Sequence, residues 1–406
     1  MIISPSQKPL KFSILASDLS KSGAGRWGGA VRTFLLARAL EKLGYDVEIL
    51  GFVFGDSPPD PDITHFPLKT VSGSNYPQFF RSAGQLMRAI SGDILYPLRP
   101  KATTLGIALL KRWQSGKPII LDIDDWELGW HGGDELRYPE NLKQFARDII
   151  KPDGALRFPE HPFYLKWMEK LVSHADLVTI HTQFLQNRFG GTYIPNGKDT
   201  VLFTPQHYDP EASRKRYDLQ NYRVLMFPGA PRPYKGVEDV LMALDRLNWK
   251  DLRLVIVGGS PYDDYDRQLK EKWGRWIIAL PPQPPQTMPE IVAAAHIIVV
   301  PQRDNPVALA QFPLKLTDGM AMAKPIISTR IGDIPTILGE TGYLVEPSSP
   351  QQIAAQIETV FQNYDEAIAR GRAARERCVE YYSLEAMAAV LKEAISNKLD
   401  RRSAKL

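Results

Sequence analysis

A chain of 406 residues is too long for one ordinary domain, and at roughly 150 residues per domain two or three are expected. With 44% hydrophobic and 24% charged residues it is neither disordered nor collagenous, and a net charge of +4 is too small to imply nucleic acid as a partner. Cys378 is the only cysteine, which excludes an intrachain disulfide and a thiolate metal site and makes a reducing cytoplasm the natural compartment. No apolar run reaches the roughly 18–20 residues of a membrane span, so membrane contact would be peripheral at most. At the N-terminus Lys8, Lys11 and Asp18 bracket a run too short for a signal sequence.

Residues 11–17 (KFSILAS) form a short apolar run that reads as a buried strand. The glycine-rich stretch 22–31 follows. Apolar residues then recur at helical spacing over 31–45, with Gly44 where a helix stops, and 46–54 (DVEILGFVF) is a second strand. Strand, glycine loop, helix and strand make one βαβ unit, which requires a parallel sheet and a right-handed crossover. Further strands are predicted at 93–97, 118–122, 175–181 and 192–195, and a helix at 102–113. After Pro205 a second series begins. Strands at 223–227, 252–257, 276–280, 296–301 and 325–328 alternate with helices at 237–247, 264–274, 288–295, 314–322 and 350–363. Both halves read as doubly wound α/β domains, with the seam near 196–213. The tail 384–397 is an amphipathic helix followed by a basic run.

Open α/β sheets bind ligands beyond the C-terminal ends of their strands, so the loops there carry the candidate chemistry. Gly28 and Gly29 open a helix whose free amides suit a phosphate or polar oxygen, although glycines for a tight turn explain them equally well. Residues 121–127 (LDIDDWE) put four carboxylates at a strand end; Asp122 and Asp124 share a face by alternation and Asp125 begins the loop. No partner motif completes a metal-ligand set, which leaves sugar hydroxyls as the better partner. In GAPRPYKG (229–236), Arg232 and Lys235 sit three apart on a loop stiffened by Pro231 and Pro233. A pre-organised pair of cations suits a diphosphate. In 312–325, Lys315 and Thr317 lie at a helix start, where the amides of Leu316 and Thr317 are expected to face an anion and Asp318, in the first turn, a ribose diol. The seven histidines show no metal-binding spacing.

Taken together these residues resemble the retaining glycosyltransferases of the GT-B type, family 4 in particular, also described as glycosyl transferases group 1. The likeness runs from about Phe12 to Ser383. It is carried by IPNGKDTVLFTP, GAPRPYKGVEDVL, LVIVGG, MPEIVAAAHIIVVP and FPLKLTDGMAMAKPIISTRIGDIPTIL in the family's order and spacing. The resemblance implies two Rossmann-like domains facing across a cleft. Residues 1–200, joined by a C-terminal helix at 383–406, would bind the acceptor, and residues 201–382 the nucleotide-sugar donor. It implies Arg232 and Lys235 at the donor diphosphate, with Gly229 in the same loop. Lys315, Leu316, Thr317 and Asp318 would bind the donor, Asp318 at the ribose. The backbone of Leu280 and Pro281 would read the base. Gly28 and Gly29 would lie near phosphate and acceptor, and Asp124 and Asp125 near the donor sugar. The implied reaction moves a sugar from a UDP or GDP donor to a saccharide or lipid-linked saccharide, in polysaccharide or glycolipid synthesis, with no metal and no further cofactor. Basic residues Lys21, Arg26 and Arg32 suit an anionic lipid-linked acceptor and a peripheral position at the inner face of the cell membrane.

The chain departs from the family at three points. Ala310 stands where the first glutamate of E-x7-E falls, Asp318 replaces the second, and Asp124 replaces the histidine of His-Asp. These departures admit two alternatives: a catalytically impaired nucleotide-sugar-binding or scaffolding protein, and a sugar-nucleotide epimerase on the same fold.

Overall fold

The computed structural model describes residues 9–20, 29–55, 57–58, 64–259 and 263–403. Gly28, Lys21 and Arg26 lie outside them, whereas Gly29 opens the helix Gly29–Lys42. The chain divides into two compact units, residues 1–195 with 387–406, and residues 196–386. The sequence reading put these boundaries at residues 200 and 383.

In the first unit the strands are β1 (Lys11–Asp18), β2 (Asp46–Val53), β3 (Leu68–Ser72), β4 (Ile94–Pro97), β5 (Ile120–Ile123), β6 (Leu177–Ile180) and β7 (Thr192–Tyr193). They pair in parallel in the orders β3-β2-β1-β4 and β5-β6-β7. Isolated parallel bridges, Leu95 to Ile119 and Leu98 to Asp122, join β4 to β5. Two regions without a predicted element are structured. Residues 64–93 contain β3 and the helix Phe79–Ala89, and the long connection from β5 to β6 contains the helices Leu142–Ile150 and Pro162–Lys170. The helix expected over 102–113 starts as a π-helical turn, Ala102–Gly106, and becomes α-helical at Ile107–Ser115.

The second unit contains β8 (Arg223–Pro228), β9 (Leu252–Val257), β10 (Ile277–Leu280), β11 (Ile297–Val300), β12 (Ile326–Thr329) and β13 (Tyr343–Val345). They form one parallel sheet in the order β10-β9-β8-β11-β12-β13. Strand alternation explains how helices cover both faces. Val224 and Met226 of β8 enter one core with Val255, Ile298 and Ile326, while Leu225 and Phe227 enter the other with Leu254, Ile256, Ile297 and Val299. The order reverses at β8, where the chain goes first to β9 on one side and later to β11 on the other. That reversal opens a crevice beyond the C-terminal ends of β8 and β11.

The last helix, Leu384–Ser403, buries Leu384, Met387, Leu391 and Ile395, a stripe at helical spacing.

Candidate functional site

The crevice of the second unit is built by the loop after β8 and the helix Leu314–Ala321, which follows β11. Gly229 leaves β8 with φ 150°, and a Cβ there would lie 2.6 Å from Lys315 Cε, so the backbone passes directly beneath that lysine. A 3-10 turn, Pro233–Lys235, follows. Gly236 then takes the left-handed conformation (φ 69°), where a Cβ would overlap the Pro301 carbonyl oxygen, and the helix Val237–Leu247 begins. The effect is to fold Lys235 back over the loop, where its Nζ donates to the Ala230 carbonyl at 3.0 Å.

Arg232, Lys235 and Lys315 are thereby brought together. Lys235 and Lys315 are within hydrogen-bonding reach of each other. Burial first, then the charges of Lys315 and Arg232, hold Lys235 well below the ordinary lysine range. Burial also lowers Lys315, against the pull of Asp318. The Lys315 ammonium lies 5.0 Å from the Phe227 ring centroid. Arg232 donates from Nη1 to Asp263 Oδ2 at 2.8 Å. Neither lysine has a carboxylate within ion-pair distance among the described residues.

Other residues of this group sit differently from expectation. Leu316 and Thr317 are fully buried; the Leu316 N–H donates to the Pro313 carbonyl at 2.8 Å and the Thr317 hydroxyl to the Leu314 carbonyl at 2.9 Å. The Leu316 amide is therefore not open to an anion, because Pro313, just outside the helix, accepts it. Asp318 lies in the second helical turn, not the first, and is ion-paired with Lys198. At the end of β10, the Leu280 carbonyl accepts from Gly258 N–H at 2.8 Å, and Pro281 is exposed. Ala310 is fully buried.

In the first unit the carboxylates after β5 separate by partner. Asp122 is fully buried and accepts Arg32 through Nε–Oδ2 (3.0 Å) and Nη2–Oδ1 (2.8 Å), with the Thr179 hydroxyl at 2.7 Å. Arg32 also donates to the Pro195 carbonyl at 3.3 Å. This bidentate pair corrects the expectation that Arg32 faces an acceptor: the guanidinium is 1% exposed and held inside the unit.

Asp124 accepts Arg99 through Nε (2.6 Å) and Nη2 (3.1 Å). Burial alone would raise the Asp124 pKa, but the guanidinium overrides it and holds the group below the usual carboxylate range. Asp125 accepts from the Trp126 N–H at 2.8 Å and from Trp130 Nε1–H at 3.1 Å. Burial pushes its carboxyl up to about 7, with Arg99 opposing and the neighbouring carboxylates Glu127 and Asp124 assisting. Burial would raise Glu127 as well, yet Lys101 and Arg99 hold it down at about 2. Lys101 bridges Glu127 and Glu160, both at 3.2 Å, and the Thr103 hydroxyl bonds Glu160 at 2.6 Å.

Arg99 and Lys101 were not singled out from the sequence, although their signal is there: they directly follow β4 in LRPK, at the same sheet end as LDIDDWE. Arg99 adopts φ 64°, a left-handed conformation for a non-glycine residue, in a position fixed by its ion pairs with Asp124 and Glu127. Among the described residues no group of three or more His, Cys, Asp or Glu side chains is arranged to hold a metal ion.

Residues 222–363 match the family model described as glycosyl transferases group 1. The chain is 26% identical to the D-inositol 3-phosphate glycosyltransferase of Corynebacterium glutamicum over 95% of its own length and 97% of that protein. Over 55% of its length it is 25% identical to a GDP-mannose-dependent alpha-(1-6)-phosphatidylinositol monomannoside mannosyltransferase of Mycobacterium tuberculosis, of which it covers 62%. Its fold is similar to that of Anabaena HepE, solved in complex with UDP and glucose (TM-score 0.70, 16% identity, covering 95% of this chain and 99% of that one). Sucrose-phosphate synthase from Thermosynechococcus elongatus is as close in fold (TM-score 0.71, 16% identity, covering 97% and 100%).

Proposed function

We propose, from the match of residues 222–363 to the group 1 glycosyltransferases and from the GT-B fold of two Rossmann-like domains, that the chain transfers a sugar, with retained configuration, from a UDP or GDP donor to a saccharide or lipid-linked saccharide. The observation that carries this reading is the assembly of Arg232, Lys235 and Lys315 at the reversal point of the second sheet. Like charges buried side by side destabilise a free protein. A diphosphate entering among them turns that repulsion into attraction, and most strongly when negative charge develops on the departing phosphate. Arg232 offers a planar fork and the two lysines offer point charges.

Retention follows if the acceptor hydroxyl attacks from the face the phosphate leaves and gives its proton to that phosphate. The carbon–oxygen bond to phosphate breaks, the bond to the acceptor forms, and no side-chain base is needed. The three cations supply the charge compensation that a divalent ion would otherwise provide, so activity is proposed to survive EDTA. In the first unit, Asp124 and Asp125 are proposed to face sugar hydroxyls.

Support for a lipid-linked acceptor and a peripheral place at the cytoplasmic membrane surface comes from the helix Leu142–Ile150. Leu142, Ile149 and Ile150 are exposed on one of its faces, beside Lys143 and Lys151. Co-sedimentation with neutral and with anionic phospholipid vesicles tests that placement; equal, negligible binding to both rejects it.

Donor hydrolysis and transfer, assayed over UDP-, GDP- and ADP-sugars, test the main reading. Loss of both turnover and nucleotide binding across the panel would overturn it. Ala310, buried where the family carries a glutamate, favours one competing outcome: nucleotide-sugar binding without turnover, the signature of an impaired or scaffolding protein.

A further inference from the structure

Lys198, near the start of the second unit, pairs with the chain near that unit's end. Its N–H donates to the Tyr382 carbonyl at 2.7 Å, and its own carbonyl accepts from Leu384 N–H at 2.9 Å, an isolated parallel bridge to Ser383. With the backbone pinned on both sides, the side chain has a defined origin. It runs over Phe203, with Nζ 3.4 Å from the ring centroid, and ends in the ion pair with Asp318 Oδ1. Phe203 is itself fixed by a turn in which its N–H donates to the Asp199 carbonyl at 3.0 Å. Both charged side chains are largely buried, Lys198 being 15% exposed and Asp318 13%.

A lysine here is not what packing alone would select. An aliphatic residue would cover Phe203 without the desolvation cost of an ammonium. Asp318 is also one methylene shorter than the glutamate it replaces, so its carboxylate has less reach and depends more on its orientation. Lys198 bonds Oδ1, the oxygen of Asp318 that carries the side-chain hydrogen bond, which leaves Oδ2 as the oxygen for a ligand. Asp318 is in addition the carboxylate that acts on Lys315, three residues earlier on the same helix face. Any charge that Lys198 draws from Asp318 leaves Lys315, and through it Lys235, less neutralised.

We propose that Lys198 is a positioning residue for the nucleotide donor: it holds Asp318 by one oxygen so that the other meets the ribose hydroxyls, and it keeps the carboxylate from neutralising the diphosphate cations. The assignment rests on the donor reading above, and it predicts a signature that a simple fastening role for the ion pair would not produce.

The test compares UDP with 2′-deoxy-UDP, and GDP with 2′-deoxy-GDP, by calorimetry on the full chain. The wild type should prefer the ribonucleotide by about tenfold or more, the worth of a hydrogen bond to a charged group. Lys198→Met should reduce that preference to about twofold or less, Lys198→Arg should restore most of it, and the preference for diphosphate over monophosphate should persist in both. Asp318→Asn should lose the same discrimination, and the double variant should lose no more than either single one. An unchanged ribose preference in a folded Lys198→Met overturns the assignment, as does an equal loss of affinity for every nucleotide. A wild type that binds no nucleoside diphosphate overturns the donor reading itself, which is a separate result.

Discussion

Two buried lysines within reach of each other hold their protons weakly, and an arriving anion reverses that. Lys235 and Lys315 are both depressed in the free protein, by burial first and by neighbouring cations at Lys235. Diphosphate binding is therefore expected to take up protons, and affinity to weaken as pH rises from neutrality toward the ordinary lysine range. Calorimetry in buffers of different ionisation enthalpy measures the uptake; association without it would place the phosphates elsewhere. Lys235→Ala should lower turnover by about 10²–10³ with little loss of stability, since the free protein sheds a repulsion. Arg32 shows the opposite behaviour. Arg32→Met leaves Asp122 charged and buried without its partner, a change expected to cost about 3–5 kcal/mol in denaturant unfolding. Asp125 sets a third expectation, in the pH dependence of stability. Folded, it titrates near 7, against about 4 when unfolded. The native state thus holds the extra proton between those values, and this group's contribution to stability falls as pH rises from about 4 to about 7. Asp125→Asn should remove that slope, visible as a smaller difference in denaturation midpoint between pH 5 and pH 8.

At the scale of elements, the loop after β8 is the part most constrained by its neighbours. Gly236 combines a left-handed φ with a Cβ position that overlaps the Pro301 carbonyl oxygen at the end of β11. Gly236→Ala must move backbone against backbone, so loss of nucleotide binding is expected together with a clear drop in Tm. Retained affinity would mean that the loop is free to rearrange. Five of the six strands of the second unit were readable because they are short apolar runs bounded by proline, glycine or charged residues, whereas β13, only three residues long at the sheet edge, was not predicted. β3 escaped because LKTVS sits at a sheet edge, mostly half-exposed, with no apolar period to detect. The helix Leu142–Ile150 escaped for a different reason: its apolar residues Leu142, Ile149 and Ile150 face outward, so its pattern did not announce a core contact. The π-helical turn Ala102–Gly106 follows Lys101 and contains Thr103, which bonds Glu160. An irregular turn where buried ion pairs must be met is a tertiary demand that helix propensity does not encode.

On the scale of the whole chain, the last helix belongs to both units by sequence position. Residues up to 386 cluster with the second and residues from 387 with the first. Met387, Leu391 and Ile395 are buried, so removing residues 387–406 should uncover their apolar counterparts in the first unit. The expected result is increased binding of a hydrophobic dye and a lowered first unfolding transition, with the second unit's transition preserved. A single transition shifted as a whole would show that the two units unfold together.

The first five strands of the second unit and the helices between them, the cations of GAPRPYKG, the lysine of FPLK and the likeness that they carry could be read from the chain, because each is a local pattern: an apolar period, a proline-stiffened loop, a motif at fixed spacing. What could not be read is which charges find which partners. Arg32, Arg99 and Lys198 look alike in a sequence. The fold gives Arg32 to Asp122 across 90 residues, Arg99 to Asp124 across 25 and Lys198 to Asp318 across 120. An ion pair depends on the distance between two side chains and on the dielectric around them, and both are fixed only when the sheets bring distant loops to one end. The sequence therefore determined where charge is available, and the tertiary structure decided which of it is consumed in holding the protein together and which is left for a substrate.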